Sequence, residues 1–257
     1  MVTNYKKTEE QHYDYKAQKF HDHQFSYSDY VLKSSKELYY KLISETLSEK
    51  SDFEILDYGC GGGDKHFQFA SSKNHIIGID ISSKSIEIAN LKAKEQTLNA
   101  EYLVMDCEKM EFADDTFDKV LDFGTFSSLN MEVAVKELCR VMKKGGIMIC
   151  IETYGHNPFM KIKRGISVLT GRRTKWAAQH IMKKKSWANI SGHFESCKIY
   201  YSHFLVLFLP FLLKITPVPY REKFLLNIEK IDSAILKFKF LQFLAFKTVV
   251  VFNNPKK

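Results

Sequence analysis

Four glycines stand close together where an apolar stretch ends. Residues 53–58 read FEILDY, and glycine follows at positions 59, 61, 62 and 63. Glycine adopts positive φ without steric strain and lets a ligand approach the backbone closely. The third glycine of a dinucleotide fingerprint would have to be residue 64, which is Asp, so that fingerprint does not match. The pattern predicts a buried strand, a ligand-binding turn and then a helix, with a simple tight turn as the alternative.

Two carboxylates follow at the ends of the next two apolar runs. Asp80 ends the run HIIGID, about 20 residues beyond the glycines, where an acid can accept hydrogen bonds from the hydroxyls of a ribose. Asp106 ends the run AEYLVMD, where a carboxylate could accept from an exocyclic amine. Open α/β sheets bind ligands at the carboxyl ends of their strands, so the glycine turn and both acids are expected at one site.

Short apolar runs that alternate with helical patterns must position these groups. The runs lie at 53–59, 75–80, 100–106, 117–124 and 145–152. This alternation predicts βαβ units and a doubly wound, mostly parallel α/β sheet. Helices are predicted at 28–49, 83–97, 130–144 and 221–238, with a last strand at 244–252. Lys143, Lys144 and Gly145 suit the end of the helix at 130–144, because cations and glycine favour helix C-termini.

Four motifs in this order give the chain a family resemblance. They read ILDYGCGGG, IIGIDIS, YLVMDCEKMEFADDTFDKVLDFGTFSSL and ELCRVMKKGGIMICIE. With them the sequence resembles the class I S-adenosylmethionine-dependent methyltransferases. The resemblance implies a seven-stranded Rossmann-like sheet whose last strand is antiparallel, and S-adenosyl-L-methionine as the cofactor.

The resemblance also implies a set of cofactor-binding residues. The methionine moiety would lie over Asp57, Gly59 and Gly61, and the ribose on Asp80. Ile81, Asp106 and Cys107 would flank the adenine, and the stretch from Asp122 to Phe126 would lie beside the sulfonium. Methyl transfer is an in-line displacement at a carbon already activated by positive sulfur, so the protein mainly aligns the reactants and excludes water. No metal site is predicted.

Histidines are the candidates for removing a proton from the acceptor. His156 follows the fifth apolar run and is the first choice as general base, while a loop histidine without a role is the alternative. His180 and His193 are weaker candidates. His21 and His23 lack a third ligand at a useful spacing, so we interpret them as solvated rather than metal-binding.

Charge and cysteine usage bear on partners and location. Residues 1–150 carry a net charge of −6 and residues 151–257 one of +14, which indicates that the second part meets something anionic. The five cysteines form no C-x-x-C pair, which argues against a disulfide framework and favours a reducing, cytoplasmic location. The polar N-terminus has no apolar core of the kind that a signal peptide needs.

An apolar block at 199–213 has two interpretations. Its 15 residues fall short of the ~20 that span a bilayer as a helix. It could be a strand and a buried helix over the active site, or a surface that admits a lipid tail or enters the membrane interface. Basic residues precede it in the chain, which favours contact with an anionic membrane. They are Lys161, Lys163, Arg164, Arg172, Arg173 and Lys183–Lys185.

The sequence thus predicts three parts and one activity. Residues 1–50 would form an N-terminal lid and helix, 51–152 the S-adenosylmethionine-binding core, and 153–257 a basic and apolar acceptor-binding elaboration with the final strands. The expected enzyme methylates an oxygen of a small, lipophilic or lipid-linked acceptor such as a quinone, a polyprenyl-linked sugar or a surface glycan. The alternative is an RNA methyltransferase. It is less favoured because unpaired bases stack on aromatic side chains, and the basic stretch 161–185 has only Trp176.

Overall fold

A computed structural model describes residues 4–19, 33–48, 52–208, 216–217 and 220–257. Seven strands form one sheet in the order β3-β2-β1-β4-β5-β7-β6. Their bounds are β1 Phe53–Tyr58, β2 Asn74–Asp80, β3 Ala100–Val104, β4 Phe117–Asp122, β5 Met142–Thr153, β6 Phe194–Ser202 and β7 Lys247–Pro255. Strand β7 runs antiparallel to both β5 and β6, while β1 to β5 pair in parallel. The predicted Rossmann-like sheet with an antiparallel last strand is confirmed.

Eight α-helices lie within the described ranges. They are α1 Asn4–Lys19, α2 Lys33–Leu47, α3 Ser83–Glu95, α4 Met131–Val141, α5 Pro158–Leu169, α6 Lys175–Gln179, α7 Lys184–Ser191 and α8 Arg221–Ile235. Short 3-10 turns occur at Phe67–Phe69, Phe126–Ser128, Leu205–Phe208 and Gln242–Leu244. Within these ranges no helix is long and apolar enough to cross a membrane.

Successive side chains of each strand point to opposite faces of the sheet, and apolar residues lie on both faces. Ile55 of β1 and Ile149 of β5 pack with Tyr39 and Ile43 of α2 in one cluster. Leu56, the next residue of β1, packs in a second cluster on the opposite face. This second cluster contains Val120, Leu138, Trp187 and Phe252, among others. Burial on both faces explains why the strands read as continuous apolar runs.

Two predicted elements differ from the structure. The glycine turn is followed only by the 3-10 turn Phe67–Phe69, not by the expected helix. Helix α4 ends at Val141, because Met142 is already extended (φ −78°, ψ 136°), and Lys143 lies in β5. Lys143 forms an ion pair with Asp118 at 2.8 Å instead of closing the helix. Lys143 and Lys144 therefore lie near the start of a strand rather than at the end of a helix.

The apolar block at 199–213 is described only in part. Residues 199–202 belong to β6, and 205–208 form a 3-10 turn, so its first half is sheet and turn. Residues 209–215 lie outside the described residues, as do His21 and His23.

Candidate active site

A cavity of about 200 Å³ opens at the carboxyl ends of β1 to β4. Helix α1 forms one side of it, and the turns after the strands form the other. The lining residues are Lys6, Glu9 and Tyr13 from α1, with Gly59, Gly61, Asp80, Ile81, Asp106, Cys107, Glu108, Phe123, Gly124, Thr125, Ser128 and Leu129. This is the sheet edge where the sequence predicts a ligand site, and we call it the cofactor cavity.

Six of the nine predicted site residues meet in this cavity. They are Gly59, Gly61, Asp80, Ile81, Asp106 and Cys107. Asp57 and Asp122 are buried and do not line the cavity, with 1% and 0% of their surface exposed. His156 lies elsewhere. The structure therefore brings together the residues that follow the strands and separates them from the two acids inside the strands.

The glycine turn brings backbone to the cavity wall. Gly59 and Gly61 have φ angles of +67° and +53°, in the left-handed region that favours glycine. A Cβ on Gly59 would lie 2.2 Å from Oγ1 of Thr125, so no larger residue fits there. A Cβ on Gly61 would meet no protein atom within 4 Å, because this glycine borders open space. The turn is thus closed against the protein at Gly59 and open to a ligand at Gly61.

Asp80 stands between the turn and the start of α3. Its Oδ2 accepts a hydrogen bond from the Gly61 N–H (2.9 Å), and its Oδ1 accepts one from the Ser82 N–H (2.9 Å). Burial raises the pKa of Asp80, and these two backbone donors oppose the rise. Each carboxylate oxygen keeps a free lone pair, so both can still accept from a vicinal diol.

A lysine from α1 reaches the third predicted acid. Lys6 Nζ lies 2.5 Å from Asp106 Oδ2 and 2.9 Å from Glu108 Oε2. Burial alone would lower the pKa of Lys6, but its hydrogen bonds to Asp106 and Glu108 outweigh burial and raise it. Tyr5 also donates to Glu108 (2.5 Å). The two acids after β3 therefore fasten the beginning of α1 to the cofactor cavity.

Further polar contacts continue along the inner side of α1. The Tyr13 hydroxyl is 3.2 Å from Ser128 Oγ, and Ser82 Oγ donates to Asp14 (2.6 Å). Glu9 is buried, and its Oε1 accepts from the hydroxyl of Thr174, while its Oε2 has no hydrogen-bond partner in the described structure. Tyr5 stacks on Trp176 of α6 with ring centroids 3.8 Å apart. Helix α1 is held by polar and aromatic contacts to the site itself.

A buried polar group lies below the glycine turn. His66 Nδ1 is 2.8 Å from Asp57 Oδ1, and His66 Nε2 is 2.7 Å from the hydroxyl of Tyr39 on α2. All three residues have at most 1% of their surface exposed. A buried carboxylate needs such partners to offset its desolvation. His66 therefore connects Asp57 of β1 with Tyr39 of α2.

A second buried group joins β4, β5 and β7. Asp122 Oδ1 accepts from the Thr125 N–H (2.9 Å), and Glu152 accepts from the Phe126 N–H (2.7 Å). Burial raises the pKa of Asp122 to about 6 and that of Glu152 to about 8, where the charge of Asp122 adds to the effect. Burial lowers the pKa of Lys247, which the charge of Glu152 opposes. These acids fix the backbone of residues 125–126, which borders the cofactor cavity.

The histidine candidates do not reach the cavity. His156 is exposed, and its Nε2 accepts from the Lys184 N–H (3.1 Å) at the start of α7. Burial and then Lys183 lower the pKa of His156. His180 stacks on Trp176 with a centroid distance of 3.8 Å, and His193 precedes β6. The lone pair of His156 thus serves a helix start in this structure.

Several site residues were missed by the sequence analysis. Lys6, Glu9 and Tyr13 lie on a polar helix with no apolar periodicity, so no pattern pointed from residues 4–19 to strand ends about a hundred positions away. Glu108 stood inside a quoted motif, two residues after Asp106, but was not singled out. Glu152 ends the fifth apolar run, and an acid at that place was a signal that could have been used.

The chain matches a known protein family. Residues 49–202 match the sequence model of a methyltransferase domain. The chain belongs to the class I S-adenosylmethionine-dependent methyltransferase family. S-adenosylmethionine is therefore its cofactor, as the motifs predict. The fold agrees with that of geranyl diphosphate C-methyltransferase from Streptomyces coelicolor, solved with S-adenosyl-L-homocysteine, at a TM-score of 0.62 and 13% identity over 100% of this chain and 99% of that one.

Two curated relatives share part of the sequence. A demethylmenaquinone methyltransferase from Lactococcus lactis is 34% identical over 112 residues, which are 42% of this chain and 44% of that protein. A ubiquinone biosynthesis O-methyltransferase from Cereibacter sphaeroides is 33% identical over 105 residues, 40% of this chain and 42% of that protein. The chain spans about half the length of the curated relatives it matches.

The residues of the cavity fit the cofactor. The open side of Gly61 leaves backbone accessible, and Asp80 has lone pairs for two ribose hydroxyls. Residues 124–125 line the side nearest β4. Asp106 is already bonded to Lys6, so an adenine amine there would share this carboxylate with the lysine.

Proposed function

We propose that this protein transfers a methyl group from S-adenosylmethionine to an oxygen of a small, lipophilic or lipid-linked acceptor. The observation that carries the proposal is the cofactor cavity, in which six predicted residues from three strand ends meet under a polar helix. The names of the curated relatives, which concern menaquinone and ubiquinone biosynthesis, support a quinone-type acceptor among the candidates. A polyprenyl-linked sugar and a surface glycan are the others.

The strand ends hold the cofactor in this proposal. Gly59 and Gly61 present backbone to its methionine moiety, and Asp80 accepts from both ribose hydroxyls. Ile81 and Cys107 cover the adenine. Asp106 accepts a hydrogen bond from the adenine amine beside its contact with Lys6. Asp122 acts from below, since it fixes backbone that borders the cavity, and Asp57 pairs with His66 beneath the turn; neither lines the cavity. The bound cofactor supplies a methyl carbon that carries a good leaving group.

Helix α1 aligns the acceptor and excludes water. Its inner residues Lys6, Glu9 and Tyr13 line the cofactor cavity, so an acceptor must enter between this helix and the turns after β4. Displacement requires the acceptor oxygen in line with the methyl carbon, and a closed cavity fixes that line while keeping solvent out. The proposal therefore gives the lid role predicted for residues 1–50 to α1.

Glu9 is the general base that we propose in place of His156. Its Oε2 is buried, has no hydrogen-bond partner in the described structure and belongs to a residue of the cavity wall. Oε2 would accept the proton that the acceptor oxygen loses as this oxygen takes up the methyl group. The bound cofactor would supply the methyl group and leave as a neutral thioether. Oε1 stays on Thr174, which keeps the carboxylate oriented.

An exposed apolar face of α5 supports contact with a membrane. Ile162, Ile166 and Leu169 are spaced as one helix face and are 71%, 55% and 88% exposed. Lys161 and Arg164 lie on the same helix, the combination that favours anionic lipid surfaces. Asn157 donates to the carbonyl of Leu244, which joins the start of α5 to a second exposed set, Phe238, Phe240 and Phe243.

Binding of RNA is less favoured by the same region. Trp176, the aromatic residue of the basic stretch, is stacked between Tyr5 and His180, at 3.8 Å from each ring. Both of its faces are therefore occupied, whereas an unpaired base needs a free face on which to stack. Without such a platform the basic residues would provide only contacts to phosphate.

The proposal is tested by cofactor titration and by a search for the methylated product. Calorimetry should show S-adenosylhomocysteine binding in the micromolar range, and Asp80→Ala should weaken it by ~1.5–3 kcal/mol because the ribose loses a charged acceptor. Mass spectrometry of lipid and glycan extracts, from cells with and without the gene, should reveal one molecule that differs by a methylene group. Unchanged binding in a folded Asp80→Ala variant would contradict the assignment of the ribose.

A further inference from the structure

A second cavity of about 100 Å³ adjoins the cofactor cavity. It lies between α1 and the loop that joins α5 to α6. Glu9, Tyr13 and Gly124 belong to both cavities. The remaining lining residues are His12, Lys16, Ser127, Arg172, Arg173, Thr174 and Ala177. A group bound in this second cavity would therefore lie next to the reacting end of an acceptor in the first.

Positive charge dominates this second cavity. Lys16, Arg172 and Arg173 carry permanent charges, and His12 adds a titratable ring. Glu9 is the one carboxylate among the described lining residues, and its Oε1 is bonded to Thr174. Within the described ranges no carboxylate comes within 4.0 Å of the charged nitrogens of Lys16, Arg172 or Arg173. Three cations thus line one cavity without an ion-pair partner among the described residues.

The pKa directions are those of a cationic cluster that lacks its anion. Burial and then the charge of Arg173 lower the pKa of Lys16, which Glu9 opposes. Burial, Lys16 and Arg173 together lower the pKa of His12. Burial and Arg173 also lower the pKa of Arg164, which donates to the carbonyl of Gly155. Like charges held together in a partly buried place are stabilised by a bound anion.

We propose that the second cavity binds a phosphate-type group carried by the methyl acceptor. The guanidinium groups of Arg172 and Arg173 suit bidentate contact with phosphate oxygens, and Lys16 adds a point charge. The hydroxyls of Ser127 and Tyr13 and the ring of His12 supply neutral donors in the same cavity. A phosphate monoester or diphosphate carries the charge of roughly −2 that three cations and one carboxylate leave to be balanced.

This inference rests on the proposed function and narrows its substrate class. A neutral quinone would leave Lys16, Arg172 and Arg173 unpaired beside the bound acceptor, whereas a polyprenyl-linked sugar carries phosphate groups. The phosphate-bearing acceptor is therefore favoured over the neutral ring. Binding of that group beside Glu9 would also keep the acceptor oxygen near Oε2, the base of the proposed reaction.

The experiment titrates the full chain with inorganic pyrophosphate, in the presence of S-adenosylhomocysteine and at physiological ionic strength. We expect saturable binding to one site in the parent. Arg172→Gln combined with Arg173→Gln should weaken it roughly tenfold or more, since two charged donors are lost. Lys184→Gln combined with Lys185→Gln removes the same charge from exposed positions outside the cavity and should change it by less than about twofold. Lys16→Gln provides a second test from the other wall.

Two further readouts separate this inference from the proposed function. Titration with S-adenosylhomocysteine alone reports the fold and the cofactor cavity, so its failure would contradict the proposed function and not the second cavity. Pyrophosphate should also raise the pKa of His12, measured by NMR, because an anion would then face the ring together with Lys16, Arg173 and Glu9. The inference would be overturned by any of three results: no pyrophosphate binding, an equal loss of pyrophosphate affinity in both double variants, or an unchanged pKa of His12.

A lipid headgroup is the other source of phosphate near this surface. If the double variant Arg172→Gln and Arg173→Gln loses binding to phosphatidylglycerol vesicles, while the parent does not bind pyrophosphate, the arginines face a membrane and the inference is wrong. If pyrophosphate binds and vesicle binding is unaffected by the two substitutions, the group belongs to the acceptor.

Discussion

The two sides of the proposed active site, a cofactor side at the strand ends and an acceptor side around Glu9 and the second cavity, are built in different ways. The cofactor side consists of consecutive strand ends, with a glycine turn, Asp80 and Asp106 following β1, β2 and β3 in order. The acceptor side is assembled from distant parts of the chain, since Glu9 of α1 bonds to Thr174, which lies 165 residues later. The first part of the chain is acidic and the second strongly basic. One half of the site thus comes from consecutive strand ends, and the other half needs parts of the chain that lie far apart in sequence.

The sharpest contrast between the sides should come from two glycines with the same backbone angle. Gly59 on the cofactor side and Gly171 on the acceptor side both have φ of +67°. A Cβ on Gly59 would lie 2.2 Å from Thr125, whereas one on Gly171 would meet nothing within 4 Å. Gly171→Ala should cost about 1–2 kcal/mol of unfolding free energy through the backbone alone, and Gly59→Ala roughly 2–5 kcal/mol because overpacking is added.

Chemical denaturation measures both variants, and calorimetry gives their affinity for S-adenosylhomocysteine. Only Gly59→Ala should also lose cofactor binding, because the turn must shift away from Thr125. Equal losses of stability in the two variants would contradict the tight packing on the cofactor side.

The next effect concerns catalysis at the boundary between the sides. Glu9→Gln should lower kcat roughly 100-fold at neutral pH, because the amide cannot take the acceptor's proton, while affinity for S-adenosylhomocysteine stays the same. Glu10→Gln on the same helix, outside both cavities, is the matched control. The measurement follows methyl transfer to the acceptor found by mass spectrometry. A loss of kcat in His156→Gln but not in Glu9→Gln would restore the histidine as the base.

These two predictions also show which half of the site can be predicted from sequence. Gly59, Asp80 and Asp106 follow apolar runs whose parallel pairing places their ends at one edge, so local pattern and topology suffice. His66 was not predicted, because Tyr39 meets it only after α2 packs on the sheet that carries Asp57. Glu9 escaped because α1 is held by polar contacts, which leave no periodic pattern.

The mistaken helix end has a similar cause. Lys143 and Lys144 suit a helix C-terminus by composition, but pairing of Met142 with Phe117 of β4 and the ion pair with Asp118 extend the chain there instead. Tertiary pairing overrides a local capping preference when the neighbouring strand supplies partners. Strand positions were predictable because their burial on both faces leaves a signal in each run separately.

A smaller effect is expected at the buried acids between the two sides. Burial and Asp122 raise the pKa of Glu152 to about 8, so the folded protein keeps a proton that the unfolded chain releases near pH 4.5. The unfolded chain then binds fewer protons, and stability falls as pH rises from 4.5 to about 8. Between about pH 5 and pH 8 the parent should therefore lose more stability than Glu152→Gln does.

The control for this pH dependence is Glu137→Gln. Hydrogen bonding to Arg140 lowers the pKa of Glu137, so its contribution changes only at more acidic pH. Denaturation at the two pH values should therefore show the parental difference in Glu137→Gln and a reduced difference in Glu152→Gln. The same pH dependence in all three proteins would mean that Glu152 stays ionised, paired with Lys247.

The smallest effect tests whether the acceptor side alone meets a membrane. Ile166 of α5 and Leu91 of α3 are equally exposed, at 55%, but lie in the basic and the acidic part of the chain. Ile166→Ser should weaken binding to vesicles of phosphatidylcholine and phosphatidylglycerol roughly threefold to tenfold, because an inserted apolar side chain is lost. Leu91→Ser should leave it unchanged, and neither should alter stability by more than about 0.5 kcal/mol. Sedimentation with vesicles measures both.

High salt should weaken but not abolish binding of the parent, since salt screens Lys161 and Arg164 but not Ile162, Ile166 and Leu169. Equal vesicle binding by the two variants, or none by the parent at low salt, would mean that the apolar face of α5 does not insert and that the acceptor reaches the cavity through water.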